Sequence, residues 1–83
     1  MARDIDHPDF VGFVTDGMQK QALHGLRYFA KCAGIKGEIV CEPMDATPPF
    51  RYRFMAVGVS IRGKQRLKDC LRGMVIATRN LAT

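Results

Sequence analysis

The run Phe50-Arg51-Tyr52-Arg53-Phe54 alternates strictly between aromatic and cationic side chains. Successive side chains of a strand point to opposite faces, so period two puts the three aromatics on one face and both arginines on the other. The run is therefore a half-buried strand whose aromatic face needs a core. A chain of 83 residues has room for one such core and one domain, spanning 1–83. At that size folding buries only about 60–65% of the surface the unfolded chain exposes, so stability is marginal and self-association would help.

Helical periodicity flanks the strand on both sides. Phe10, Val14, Met18, Ala22, Leu26, Phe29 and Ala33 recur at three- and four-residue spacing, which predicts a helix lying on the core. Asp6-His7-Pro8-Asp9 reads as its start: Asp6 accepts backbone N–H bonds, proline sits in the first turn and Asp9 lies at the positive end of the dipole. Gly34 supplies a left-handed residue after the last turn, with Ile35 folding back as its apolar partner. A break near Thr15-Asp16-Gly17, giving a short first piece and a longer second one, is the alternative. A second helix is predicted from about Gly63 to Leu81, with Leu67, Leu71, Met74, Thr78 and Leu81 on one stripe. Gly12, Gly17, Gly25 and Gly73 fall inside these patterns, where small residues let two backbones approach closely.

Between the helices, Glu38-Ile39-Val40-Cys41-Glu42 is short and rich in β-formers, which predicts a strand. Met44 to Pro49 reads as a loop because of its two consecutive prolines. Met55 to Ile61 is almost wholly apolar, with Gly58 as a bulge or bend. The predicted order is helix, strand, strand, helix, an α+β domain with both helices on one face of a small antiparallel sheet. Because a lone hairpin is marginal in water, the sheet needs a third strand near Val57 to Ile61 or edge pairing with a second copy. Homo-oligomerisation, as a two-fold dimer, is the favoured expectation.

Composition excludes several classes of function. With 47% hydrophobic and 25% charged residues the chain is an ordinary globular sequence rather than a disordered one. No apolar run reaches the roughly 18–20 residues that span a bilayer, and the first residues lack the apolar stretch of a signal peptide, so a cytoplasmic protein is expected. Cys32, Cys41 and Cys70 are odd in number and match neither a disulfide framework nor a zinc or redox motif. They are expected to be reduced, mostly buried thiols, with no metal site and no cofactor. His7 and His24 have no nucleophile or carboxylate at a motif spacing, and Asp6 and Asp9 read as capping groups, so no enzyme is expected.

Charge carries the remaining signal. Residues 1–41 hold five basic and five acidic residues; residues 42–83 hold eight basic residues against Glu42, Asp45 and Asp69, so the whole net charge of +5 lies in the second half. The cluster Ser60, Arg62, Gly63, Lys64, Arg66 and Lys68, continued by Arg72, opens the second helix with cations around free backbone N–H groups, a candidate phosphate or carboxylate site. The alternative is a solvated helix face whose serine caps the first turn. Arg51 and Arg53 on their strand either join the same basic surface or are ordinary solvent-facing residues. The spacing does not match a phosphate-binding glycine loop.

These residues imply a small non-enzymatic binding protein. The favoured reading is a protein-binding accessory or inhibitor of phage-like or mobile-element type, acting through the basic surface by shape and charge. The alternative is a nucleic-acid-binding module whose Arg51, Arg53, Lys64, Arg66, Lys68 and Arg72 contact phosphates. A third reading is a nucleotide or anion binder at the Ser60 to Lys64 turn.

Overall fold

A computed structural model describes residues 7–48 and 50–82, with residues 79–82 described by their backbone alone. Its elements are strand β1 (Phe10–Thr15), a 3-10 turn (Asp16–Met18), helix α1 (Gln19–Ala33), strands β2 (Glu38–Pro43) and β3 (Arg51–Val57), and helix α2 (Ile61–Ala82). The sheet is antiparallel in the order β1-β3-β2, so the alternating strand is the central one. This is the α+β class read from the sequence, in the arrangement of a split β-α-β unit with β3 inserted between β1 and β2.

The core forms where β3 presents its aromatic face to both helices. Phe54, Leu26 and Leu67 are the largest fully buried side chains, joined by Val11, Val14, Ala22, Ile39, Ala56, Val59 and Leu71. Tyr52 is half-buried on the same face, while Arg51 and Arg53 point to the other, as period two requires. Helix α1 packs on β2 and α2, and α2 packs on β1 and α1. Ala22 and Leu26 carry the buried stripe of α1, four residues apart, with Met18 and Phe29 at its margins.

The helix ends follow the local chemistry. Gly34 closes α1 at φ 69°, and the Ile35 N–H donates to the Ala30 carbonyl at 2.9 Å while its side chain joins the core margin. Gly58 turns the chain at φ 72° after β3. The Ser60 hydroxyl accepts from the Gly63 N–H at 3.0 Å and opens α2, which starts two residues before the predicted Gly63.

Three expectations are corrected. Residues 10–15 are not the first turns of a helix but the third strand, so the third strand does not lie near Val57 to Ile61. Pairing is irregular between Phe10 and Gly12, which gives β1 an extra residue. Val11 and Val14 are therefore both buried although three residues apart, a spacing that looks helical in sequence. Asp9 is no helix cap; its backbone carbonyl accepts from the Ala56 N–H at 2.8 Å, extending the β1–β3 pairing. The capping role of Asp6, the loop residue Pro49 and the side chains of Arg79 and Leu81 lie outside the described residues.

Of the four glycines placed in helical patterns, Gly12 and Gly25 sit at close approaches to α2. A Cβ at Gly12 would stand 2.6 Å from Leu71 Cδ2, and one at Gly25 2.7 Å from the Met74 sulfur. Gly17 and Gly73 face nothing within 4 Å. Two outcomes follow for chemical denaturation followed by circular dichroism. Phe54→Ala is expected to cost about 3–5 kcal/mol, against a total of about 4–12 kcal/mol for a chain of this length. Gly12→Val is expected to cost about 1–3 kcal/mol by overpacking against Leu71. A loss below about 1 kcal/mol for Phe54→Ala would contradict its central place in the core.

Candidate functional site

The basic residues singled out in the sequence do not form one ridge; the fold divides them into three groups. Arg51 and Arg53 lie on the sheet face that no described helix covers. The remaining cations of α2 split between its two flanks, because at about 100° per residue positions 62 and 66 diverge from 64, 68 and 72. Arg62 and Arg66 turn toward α1, where the Arg66 guanidinium lies 5.6 Å from the centre of the Phe29 ring. Lys64, Lys68 and Arg72 turn toward β1.

Carboxylates hold three of these cations, two from the neighbouring loop and strand and one from the far end of the chain. Asp45 receives Arg51 through a fork, Nε to Oδ2 at 2.9 Å and Nη2 to Oδ1 at 2.8 Å, and also accepts the Arg51 backbone N–H. These bonds hold the Asp45 carboxyl below its ordinary pKa. Arg53 donates to Glu42 at 2.6 Å across the β2–β3 pair. Lys64 donates to Asp9 Oδ1 at 3.0 Å and to the Pro8 carbonyl at 3.1 Å, tying α2 to the chain just before β1. Among the described residues Arg62, Lys68 and Arg72 have no ion-pair partner.

The opening of α2 borders a depression of about 390 Å³ lined by Lys36, Ser60, Arg62, Gly63 and Arg66. Here the structure brings four of the predicted residues together and adds Lys36, which its distance in sequence concealed. The Ser60 hydroxyl is already engaged with Gly63, as the capping reading requires, and Lys64 points away toward Asp9.

A second concavity lies on the opposite flank of α2. It is a groove of about 440 Å³ between β1 and α2, lined by Phe10, Val11, Gly12, Phe13, Lys68, Leu71, Arg72, Val75 and Ile76. Its floor is apolar, its rim carries Lys68 and Arg72, and among the described residues no carboxylate lines it. Phe13 and Ile76 remain 46% and 50% exposed. One wall is β1, which borders the described sheet on the side away from β3. The two edges of that sheet differ. Strand β2 carries Glu38 and Glu42, ends on Pro43 and has its Ile39 carbonyl bonded by Arg27 at 3.4 Å, whereas β1 is Phe-Val-Gly-Phe-Val-Thr, without charge or proline. Sequence reasoning missed this site because it read β1 as helix.

The thiols also depart from expectation. Cys32 is exposed, while Cys41 and Cys70 are half-buried, and burial pushes both of the latter above the ordinary thiol range. Among the described residues no cluster of three or more His, Cys, Asp or Glu could hold a metal ion, and no helix is long and apolar enough to cross a membrane. No protein-family model, curated protein or solved structure matches the chain.

Two measurements check these assignments. Iodoacetamide at neutral pH should label Cys32 well before Cys41 and Cys70, because the thiolate is the reacting form and burial suppresses it at the other two. Equal labelling of all three would contradict the placement. The depressed Asp45 pKa means that its contact with Arg51 is fully present above the unfolded-state value and is lost as pH falls through the folded one. An NMR titration should therefore give Asp45 a midpoint below the roughly 3.9 of a free aspartate, and Arg51→Gln should restore the ordinary midpoint.

Proposed function

We propose that this chain is a small non-enzymatic protein-binding module, of accessory or inhibitor type, which takes an extended segment of its partner as a strand beside β1. The observation that carries the reading is the contrast between the two sheet edges. An edge strand offers a row of unpaired backbone N–H and C=O groups, and folded proteins normally blunt such edges with charge, proline or a covering element. Among the described residues β2 is blunted in this way and β1 is not. An uncharged, apolar six-residue edge beside an apolar groove supplies both parts of strand addition: main-chain hydrogen bonds for affinity and a side-chain surface for selection.

The basic surface of the sequence reading enters at the groove rim through Lys68 and Arg72. Phosphate-backbone binding draws less support, because Arg51, Arg53 and Lys64 would each have to leave a carboxylate. Pairing of β1 with a second copy is the competing use of the same edge.

Peptide display against the immobilised chain tests the reading. Selected peptides should slow amide hydrogen exchange in β1, and Phe13→Lys, which places a charge on the exposed side of that edge, should abolish their binding while leaving the circular dichroism unchanged. Failure to select any peptide that protects β1 would reject strand addition, as would DNA or RNA binding that Phe13→Lys leaves intact and that exceeds any peptide affinity.

A further inference from the structure

We infer that the segment taken by the β1–α2 groove is acidic, with two carboxylates on alternate residues and an apolar residue at the next alternate position. The inference rests on the strand-addition reading above and adds the chemistry of the occupant.

The first argument is charge. The rim cations Lys68 and Arg72 have no ion-pair partner among the described residues, and none of the groove-lining residues is acidic. Asp69, the acidic residue nearest to these cations along α2, lies with Arg66 and Phe29 around a shallow hollow and accepts from Gln65 at 3.2 Å. A partner strand with carboxylates at this rim completes two ion pairs that the described residues leave open.

The second argument is spacing. Lys68 and Arg72 are four residues apart on one helix, hence about 6 Å along its axis. Residues i and i+2 of a strand, which share a face, are about 6.5–7 Å apart. Two acidic residues on alternate positions of an added strand therefore match the two cations, while acidic residues on consecutive positions would point to opposite faces. Val75 and Ile76 lie one helical turn beyond Arg72, and the next alternate residue of the strand reaches them. An apolar side chain is needed there.

The same geometry disfavours a second copy as the occupant. Antiparallel pairing of two β1 strands about a two-fold axis keeps both α2 helices on one face of the continuous sheet, on either side of the seam. Lys68 and Arg72 of each copy would then converge with no carboxylate between them.

The test titrates the isotope-labelled full chain with peptides matched to the six residues of β1. The first probe is Thr-Glu-Thr-Glu-Thr-Val, together with the same residues in reverse order because strand direction is not fixed. Controls carry Thr for both Glu, Lys for both Glu, or the two Glu side by side. The alternate-acid peptide, in one direction, should shift β1 and α2 amides and bind about tenfold more tightly than the threonine control, as two exposed ion pairs allow. Raised salt should erase that advantage. Lys68→Glu with Arg72→Glu should invert the preference toward the lysine peptide.

Equal binding of the threonine and alternate-acid peptides at β1 would overturn the acidic occupant and leave strand addition standing, and so would equal binding of the two acidic isomers. If no peptide of any charge perturbs β1, both proposals fail together. A dimer in sedimentation velocity that Phe13→Lys dissociates would show that a second copy fills the groove and would also overturn the acidic occupant.

Discussion

Burial of one face of β3 is the constraint from which the rest of the architecture follows. Phe54 is fully buried on the central strand, and Leu26 and Leu67, one from each helix, are fully buried in the same core. A strand placed so needs pairing on both sides, because backbone groups taken out of water must find partners. Strand β2 supplies one side through a short connection anchored by Asp45 and Arg51, and the other must come from elsewhere in the chain. The segment before α1 provides it. Once β1 is drawn in and both helices cover the aromatic face, no described element remains for the outer edge of β1.

The parts of this fold that were legible in the sequence are those set by local chemistry. Strict alternation identified β3 and its two faces, the spacing of Ala22 and Leu26 identified the core stripe of α1, and Gly34 and Ser60 marked helix ends through backbone and hydroxyl geometry that needs no distant partner. Strand β1 was hidden because its bulge gives inward residues a three-residue interval, and Phe10 to Val14 then continues the period of the helix that follows. Propensity pointed the other way, since four of the six residues of β1 are aromatic or valine. Periodicity misleads where a strand is irregular.

The candidate site was less legible than the fold, for two physical reasons. Helical geometry sends cations that are close in sequence to opposite flanks, so a count of Arg and Lys from 62 to 72 overstates any single surface. Neutralisation acts over long separations: Asp9 and Lys64 are 55 residues apart, yet their side chains meet at 3.0 Å. The uncompensated charge is what remains after such pairing, and it is a property of the fold. The groove likewise exists only because β1 and α2, the first and last described elements, lie side by side.

An open apolar edge is a hazard as well as an opportunity, because a short uncharged β-forming segment is the kind that pairs with copies of itself. Strand β1 carries neither charge nor proline, so protection must come from residues beside the edge. Lys68 and Arg72 are placed for this. Two copies approaching edge to edge would bring like charges together, while the proposed acidic strand would meet opposite charge at the same rim, so on that reading one pair of side chains opposes self-pairing and favours a chosen partner. Both effects weaken together as salt screens them. On the proposed reading, selectivity of the groove and opposition to self-pairing are two consequences of one arrangement, and a substitution that removes the cations changes both.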